Sequence, residues 1–251
     1  LSSAASDVYK RQAFAIGEDE IKFLNSEADG FEESTEIIED ITDAVIAGLA
    51  DYCRKSGIKR IVLGLSGGID SAVAACVACA AVGPTNVLGI AMPSRFSSQH
   101  SLDDAKYTAE ALGMEFKIEP IDGMHTALEG TIGEVLDDGN PVASENIQSR
   151  LRGIIVMAHA NAQNRMAIAT GNKSELAQGY CTLYGDMAGG YTPLGDLYKM
   201  QVYALAEIFN QRAIELGDMP PVNESTMTKP PSAELAPDQK DEDSLPPYEI
   251  L

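Results

Sequence analysis

The sequence has little that would attach it to a membrane. None of its apolar runs approaches the roughly 20 residues that a bilayer-spanning helix needs. The longest run, residues 72–82, is rich in alanine and cysteine and predicts a buried helix. The first residues lack a basic region followed by an apolar core, so they do not resemble a secretory signal. These features predict a protein without membrane attachment.

Cysteine is scarce as well. Four cysteines in 251 residues do not make a disulfide scaffold, and we therefore expect a reducing, cytoplasmic location. Cys76 and Cys79 form a Cys-x-x-Cys pair, but they lie within the alanine-rich run and no second pair is present for zinc. We interpret both as small packing residues rather than redox or metal-binding groups.

Basic residues are outnumbered, since 18 lysines and arginines against 38 acidic residues give a net charge of −20. Such a surface repels phosphate backbones, which argues against nucleic acid as a partner. If the ligand is an anion, its site must gather the few bases locally. Five bases lie near polar, glycine-rich stretches: Arg150, Arg152, Lys173, Lys199 and Lys229.

The two ends of the chain differ in composition from its middle. The expected divisions are a non-native leader (1–12), an acidic linker (13–34), a globular domain (35–218) and a C-terminal arm or lid (219–251). The leader has no apolar periodicity and resembles a cloning adapter. Eleven acids and one base fall between Gly17 and Asp43, which indicates a solvated linker. The arm holds 7 of the 12 prolines, which predicts irregular structure.

The middle of the chain alternates short apolar stretches with longer helical ones. Strands are predicted at residues 60–65, 86–92, 114–120 and 165–170. Helices are predicted at about residues 35–55, 72–82 and 99–112, and two further helical stretches precede the last strand. Parallel strands joined by helices predict an α/β fold with a doubly wound parallel sheet and flanking helices.

A polar, glycine-containing loop, Ser66-Gly-Gly-Ile-Asp-Ser71, follows the first of these strands and opens a helix. In parallel sheets, ligands bind beyond the carboxyl ends of the strands. Gly67 and Gly68 allow a sharp turn with exposed N–H groups, and the helix directs its partial positive charge to the same place. The pattern predicts an anion-binding loop with two serine hydroxyl donors. An ordinary strand-to-helix turn, with Asp70 as the helix cap, is the alternative.

The loop differs from two familiar phosphate-binding patterns. The chain has no Gly-x-x-x-x-Gly-Lys-[Ser/Thr], and its glycines do not spell Gly-x-Gly-x-x-Gly. Ser-Gly-Gly-x-Asp-Ser instead resembles the loop of the ATP-pyrophosphatase (PP-loop) superfamily. In that superfamily the loop holds the pyrophosphate of ATP while the α-phosphorus is attacked.

Six ordered motifs narrow this resemblance. They are GLSGGIDS (64–71), MPSRFSS (92–98), ENIQSRLR (145–152), TGNKSE (170–175), YGDMAGGYTPLGDLYKMQV (184–202) and KPPSAELAPDQKDEDSLPPYE (229–249). Over about residues 31–251 the chain resembles the NAD synthetase family, specifically the synthetase domain of its glutamine-dependent form. The resemblance implies a carbon–nitrogen ligase that converts deamido-NAD, ATP and ammonia to NAD through an adenylate, releasing AMP and pyrophosphate.

The resemblance also implies roles for individual residues. ATP contacts would be Gly64, Leu65, Ser66, Gly67, Gly68, Ile69, Asp70, Ser71, Thr170, Lys199, Lys229 and Ser232. Mg²⁺ would be held by Asp70 and Glu175, and deamido-NAD would contact Asn146, Arg150 and Glu175. Asp70, Glu175 and Asp186 would serve catalysis, with Asp186 near the reacting nicotinate.

The resemblance also implies further domains, an oligomeric state and a nitrogen source. A glutaminase domain is expected upstream, family helices are expected beyond Leu251, and a homodimer is expected with the dinucleotide near its interface. This chain alone is expected to use free ammonia and to ignore glutamine, because its four cysteines offer no activated nucleophile. A related ligase such as GMP synthetase, or a non-catalytic adenine-nucleotide-binding domain, is the alternative.

Overall fold

The structure is a computed structural model with two units, Leu1–Thr35 and Glu36–Leu251. It describes residues 14–17, 20–23, 35–136, 141–236, 239–241 and 245–248. In the first unit, β1 (Phe14–Gly17) and β2 (Glu20–Phe23) pair antiparallel. The acidic composition of this stretch predicts only a linker, although apolar residues recur there at every second position. The expected leader of residues 1–12 lies outside the described residues.

The second unit is built on a four-stranded sheet. Its strands are β3 (Ile61–Gly64), β4 (Val87–Ala91), β5 (Glu115–Ile118) and β6 (Met166–Ala167). They lie in the order β5-β4-β3-β6, and every neighbouring pair is parallel. The chain adds β4 and β5 on one side of β3 and then returns to add β6 on the other. The predicted doubly wound α/β fold is therefore confirmed.

Eight α-helices of the described residues surround this sheet or follow it. They are α1 (Thr35–Ser56), α2 (Ile69–Val82), α3 (Gln99–Leu112), α4 (Asp122–Leu136), α5 (Pro141–Gln163), α6 (Lys173–Gln178), α7 (Lys199–Leu216) and α8 (Glu224–Thr228). None of them is long and apolar enough to cross a bilayer. The short helix α6 is not among the predicted helices, all of which precede the last strand.

Two apolar cores form because successive strand residues point to opposite faces of the sheet. Ile61 and Leu63 pack with helices α1, α2, α3 and α7 on one face, whereas Val62 packs with α4 and α5 on the other. Helix α2 is apolar on all sides and is buried almost throughout. Cys76 and Cys79 lie inside it as free thiols, and burial raises the pKa of Cys79 to about 12. A thiol held neutral by burial is a packing residue.

Candidate active site

The point where the strand order reverses carries the candidate site. The chain leaves β3 through the loop of residues 64–71, and it leaves the adjacent strand β6 through residues 168–175. Parallel strands thus deliver both segments to one edge of the sheet, where open α/β sheets bind ligands. A cavity of about 840 Å³ opens at this edge.

Fourteen of the sixteen residues that the resemblance singles out line this cavity. They are Gly64, Leu65, Ser66, Gly68, Ile69, Asp70, Ser71, Asn146, Thr170, Glu175, Asp186, Lys199, Lys229 and Ser232. The other two, Gly67 and Arg150, do not line it. The structure therefore brings together residues that are separated by up to 168 positions in the chain.

Two serine hydroxyls fix the shape of the loop. The Ser66 and Ser71 hydroxyls share a hydrogen bond of 3.1 Å, and the Ser71 hydroxyl donates to the Gly68 carbonyl at 2.9 Å. The Gly68 N–H in turn donates to the Ser66 hydroxyl at 3.2 Å. Gly68 is the N-cap of α2 and receives no side-chain cap, so Asp70 does not act as the helix cap. The ordinary capped turn is therefore wrong for this loop.

Gly67 has a structural reason to be glycine. Its φ of +81° lies in the left-handed region, and a Cβ atom there would come within 2.0 Å of the Ser101 carbonyl oxygen. Only glycine lets the loop approach the first turn of α3 so closely. Gly67 thus packs against α3, while Ser66 and Gly68 on either side of it line the cavity.

The centre of the site is a charged cluster of Asp70, Glu175 and Lys199. The Lys199 ammonium lies 2.5 Å from Asp70 Oδ2 and 3.7 Å from Glu175 Oε1. Asn172 Nδ2 donates to Asp70 Oδ1 at 2.8 Å. Lys199 is only 2% exposed, and both carboxylates are largely buried beside it. The cluster therefore holds two acids and one base, largely buried, at the wall of the cavity.

The two acids of this cluster lie beside a single lysine, and Asp70 shifts the protonation of Glu175. Burial, and then the charge of Asp70, raise the pKa of Glu175 to about 8. Burial alone would lower the pKa of Lys199, but Asp70 and Glu175 raise it above its ordinary value. Glu175 also closes a capping box at α6, since Asn172 N donates to its Oε2 and Asn172 Oδ1 accepts from its N–H. Its carboxyl group is thus held in place beside Asp70 and Lys199.

The donor set of this cluster fits Mg²⁺. In the described residues no group of three or more His, Cys, Asp or Glu side chains could hold a metal ion alone. Mg²⁺ usually takes one or two protein carboxylates and completes its shell with phosphate oxygens and water. Asp70 and Glu175 supply two such carboxylates, and the side chain and backbone of Asn172 hold both of them in position.

A second group of side chains joins α5 to the turn at residues 182–186. The Ser149 hydroxyl donates to Asp186 Oδ1 at 2.8 Å, and the Thr182 N–H donates to the same oxygen. The Thr182 hydroxyl donates to Asn146 Oδ1 at 2.7 Å. A Cβ at Gly185 would lie 2.3 Å from the Ser149 hydroxyl oxygen, so glycine permits this close approach. Asn146 and Asp186 are thereby fixed along one wall of the cavity.

Arg152 lines the cavity, and Arg150, to which the resemblance assigns a deamido-NAD contact, does not. Arg150 is exposed and donates through Nε to the Leu183 carbonyl, outside the cavity lining. Arg152 lines the cavity and donates through Nε to the Met92 carbonyl at 3.0 Å. Burial lowers its pKa to about 10, although the charges of Glu234 and Asp122 oppose this shift. The cavity therefore contains a cation that the family pattern does not assign.

The first part of the arm closes over the cavity near α3. Lys229 Nζ donates to Asp104 Oδ2 at 2.9 Å, and the Glu234 carboxylate accepts hydrogen bonds from the hydroxyls of Ser98 and Ser101. Ser232 donates to the Gln239 carbonyl within the arm itself. Burial would raise the pKa of Asp104, but hydrogen bonds from Asn223 and Lys229 lower it. Asp104 thus anchors the arm, and the sequence analysis does not single it out.

The fold and this site together define a nucleotide-binding α/β protein whose loop is shaped for phosphate groups. The sequence model of the NAD synthase family matches residues 41–251. The chain therefore belongs to the NAD synthase family.

Individual relatives agree with this assignment. The chain is 51% identical to a glutamine-dependent NAD(+) synthetase of Rhodobacter capsulatus over 83% of its own length and 38% of the relative. A solved glutamine-dependent NAD+ synthetase of Acinetobacter baumannii, in complex with ADP, superposes with a TM-score of 0.73 at 36% identity. That match covers 79% of this chain and 37% of the other.

Another solved structure with a similar fold is named as a different enzyme. The NMN synthetase of Francisella tularensis superposes with a TM-score of 0.70 at 32% identity, covering 82% of this chain and 80% of that one. The chain thus spans well under half of the glutamine-dependent relatives and most of a shorter neighbour.

Proposed function

We propose that this chain is the synthetase part of a glutamine-dependent NAD synthetase. It would amidate deamido-NAD to NAD with ATP and ammonia, through an adenylate, releasing AMP and pyrophosphate. The observation that carries the proposal is the placement of the serine–glycine loop beside the Asp70–Glu175–Lys199 cluster in one cavity. A volume of about 840 Å³ lies at the upper end of the range for ligand sites and suits a nucleotide pair.

The loop and the lysines would act on ATP. Backbone N–H groups between Ser66 and Ser71, together with the helix α2 N-terminus, would bind the departing pyrophosphate. Lys199 and Lys229 line the cavity with Thr170 and Ser232, so they can bind the remaining phosphate oxygens. Because no lysine lies within the loop, the loop suits release of a whole pyrophosphate group.

Magnesium belongs to the same proposal. Asp70 and Glu175 would hold the ion, and the ion would supply positive charge to the phosphate oxygens when bound. Asn172 keeps the Asp70 carboxylate in position through its 2.8 Å hydrogen bond, and the capping box does the same for Glu175. The protein's own contribution is thus a rigid pair of hard oxygen ligands.

Deamido-NAD would lie along α5 and the 182–186 turn. Asn146 and Asp186 are held there by Thr182 and Ser149, and Asp186 would face the reacting nicotinate. Arg152, whose guanidinium faces the cavity beside the Met92 carbonyl, would attract an anionic group of either substrate. Arg150 lies outside the cavity, so its contact with the dinucleotide would need a second subunit.

The homodimer is likewise a proposal. Large apolar side chains stay exposed on α5 and on the neighbouring turn, including Ile154 at 59% and Tyr184 at 84%. Arg150 lies beside them on the same exposed face. Exposed apolar clusters of this kind often mark interfaces. A glutaminase domain upstream and a cytoplasmic location complete the proposal, supported by the glutamine-dependent relatives and by the free cysteines.

Three other functions are alternatives to this proposal, and experiments can distinguish them from it. The similarity to NMN synthetase favours a mononucleotide substrate as the second candidate. GMP synthetase is weaker because it offers no counterpart of the stretch that begins at Tyr184 and carries Asp186. A non-catalytic adenine-nucleotide binder is weaker because it leaves the Asp70–Glu175 pair unexplained.

Equilibrium binding tests the substrate. Isothermal titration in the presence of Mg²⁺ and a non-hydrolysable ATP analogue should show binding of deamido-NAD. Xanthosine monophosphate, the substrate of GMP synthetase, should not bind. Tighter binding of deamido-NMN than of deamido-NAD would overturn the dinucleotide assignment in favour of the mononucleotide.

A further inference from the structure

The arm passes over the edge of the sheet at which the cavity opens. Its residues 229–235 line the cavity. At one end Lys229 Nζ donates to Asp104 Oδ2 on α3, and at the other end Gln148 Nε2 on α5 donates to the Leu235 carbonyl at 2.8 Å. Since α3 and α5 pack on opposite faces of the sheet, this segment covers the cavity from one face to the other.

Glu234 attaches this segment to the start of α3. Its Oε1 accepts hydrogen bonds from the Ser98 and Ser101 hydroxyls, both at 2.8 Å, and its Oε2 accepts from the Ser98 N–H at 3.3 Å. Ser98 is the N-cap of α3, so the carboxylate lies at the partially positive end of a 14-residue helix. Hydrogen bonds to an ionised carboxylate are stronger than those between neutral groups. A side chain of the arm thus fills an anion-binding position on the fold.

The backbone of Glu234 is strained at the same point. Its φ of +49° lies in the left-handed region, which a residue with a Cβ atom adopts at a cost in free energy. Such conformations persist where surrounding contacts hold them, and they concentrate at ligand clamps and active sites. The three hydrogen bonds of the carboxylate supply that hold.

Two basic side chains of the cavity lie near the Glu234 carboxylate. Lys229 Nζ donates at 3.3 Å to the Ser101 hydroxyl, which itself donates to Glu234. Burial lowers the pKa of Arg152 and the charge of Glu234 opposes this shift, so the carboxylate also lies near that guanidinium. Glu234 therefore links the arm both to α3 and to the charges that line the cavity.

The later part of the arm is attached to the segment that Glu234 holds. The Asp241 N–H donates to the Pro231 carbonyl at 3.0 Å. The Leu235 N–H donates to Gln239 Oε1 at 2.9 Å. Release of the segment from α3 would therefore free the later part of the arm as well.

We propose that Glu234 is a positioning residue that latches the arm over the cavity by binding Ser98 and Ser101. The inference rests on the proposed function, in which an adenylate of deamido-NAD forms in the cavity. Ammonia attacks the acyl carbon of this adenylate, breaks its bond to the phosphate oxygen of AMP and forms the amide. Water attacking the same carbon also releases AMP, but it returns the carboxylate of deamido-NAD and gives its protons to the solvent. The latched arm excludes that water.

Limited proteolysis without substrates tests whether Glu234 holds the arm. Lys240 is the arm's one trypsin site, because Lys229 is followed by Pro230 and trypsin does not cut before proline. Glu234→Gln keeps the shape of the side chain and removes its charge. Cleavage after Lys240 should be about tenfold faster in this variant, because cleavage follows the population of the released arm.

A change of charge elsewhere is the matched control for this digestion. Glu207→Gln lies at an exposed position on α7 outside the cavity and should be cleaved like the wild type. Equal rates of cleavage after Lys240 in the wild type and in Glu234→Gln would overturn the latch.

The ratio of AMP to NAD tests what the latch does for the reaction. With deamido-NAD, ATP, Mg²⁺ and ammonium, the wild type should form the two products in equal amounts. Glu234→Gln should form at least about twofold more AMP than NAD, since water then reaches the adenylate. Equal amounts from this variant, despite faster cleavage after Lys240, would overturn the role of Glu234 in excluding water.

Ser98 gives a second reading from the other side of the latch, should Glu234→Gln not fold. Ser98→Ala removes a hydroxyl donor, whereas Ser98→Thr keeps the donor and remains suited to a helix N-cap. Ser98→Ala should speed cleavage after Lys240 and form excess AMP, and Ser98→Thr should behave like the wild type. Equal behaviour of the two variants would contradict the latch.

The two measurements separate this inference from the proposed function. Formation of neither AMP nor NAD by the wild type would contradict the proposed function, and with it the role in excluding water. The cleavage rates would still decide whether Glu234 holds the arm, because they are measured without substrates.

Discussion

At the scale of single residues, the site depends on two largely buried acids that lie beside one buried lysine. Asp70 and Glu175 share one lysine, and the pKa of Glu175 rises to about 8 as a result of burial and of Asp70. Perturbed groups of this kind concentrate at functional sites. The same cluster is rigid, because Asn172 bonds Asp70 while it caps α6 with Glu175.

Removing either carboxylate should stop turnover without unfolding the protein. Asp70→Asn and Glu175→Gln each delete one proposed ligand of Mg²⁺, and we expect kcat to fall by about 10²-fold or more. Circular dichroism should show unchanged secondary structure, since neither side chain belongs to an apolar core. Glu215→Gln, an exposed change on α7, is the matched control. Rates near those of the wild type in either variant would contradict the metal assignment.

The raised pKa of Glu175 predicts a dependence of stability on pH. Below its ordinary pKa of 4.5 the group is protonated in the folded and the unfolded protein. Between 4.5 and about 8 the folded protein binds the extra proton, so this contribution to stability is lost as the pH rises. The free energy of unfolding should fall by at most about 1.4 kcal/mol per pH unit in that window.

Urea denaturation without Mg²⁺ at several pH values between about 5 and 8 measures this slope. Glu175→Gln should flatten it, because glutamine does not titrate. Saturating Mg²⁺ should also weaken it, since the metal binds the ionised carboxylate. An identical slope in the wild type and in Glu175→Gln would show that another group titrates.

At the scale of elements, strands and long helices could be predicted because their periodicity is local. The four strands of the sheet and helices α1 and α3 lie where the apolar pattern places them. Strand β6 is shorter than predicted, because its register with β3 covers only Met166 and Ala167, and Ile168 also forms a bridge with Tyr191. Helix α6 was missed, although Asn172 and Glu175 have the spacing of a capping box, which is a readable signal.

Only part of the site could be predicted from the sequence, because a local pattern does not show which distant residues meet in the fold. The loop at 66–71 is a local pattern, so its position and its expected phosphate chemistry follow from sequence and resemblance. Arg150 and Arg152 differ by two positions, which places them on different faces of α5. Which of them faces the cavity depends on how the helix packs. Glu234 and Ser98 are brought together only by tertiary structure, and no sequence spacing indicates their contact.

At the scale of the whole molecule, the exposed face of α5 links the proposed assembly to the site. Ile154 and Met157 lie on this helix, and Leu183 and Tyr184 lie on the turn that packs against it. The same helix carries Asn146 and Arg152, which line the cavity. A second subunit on this face would therefore sit close to the bound dinucleotide.

Sedimentation equilibrium should give twice the mass of a single chain. Ile154→Asp places a charge in the proposed interface and should shift the protein toward monomers. Leu216→Asp changes an apolar residue that is even more exposed, at the end of α7, and should leave the dimer intact. A monomeric wild type, or equal effects of the two changes, would contradict this interface.

In the proposed reaction, the nicotinate carboxylate of deamido-NAD attacks the α-phosphorus of ATP in this cavity. The most direct measurement uses deamido-NAD with ¹⁸O in that carboxylate, together with ATP, Mg²⁺ and ammonium, and follows the label by mass spectrometry. The account predicts one ¹⁸O atom in the phosphate of AMP, with pyrophosphate unlabelled and NAD formed in equal amount. Label in orthophosphate, with ADP as the nucleotide product, would contradict it.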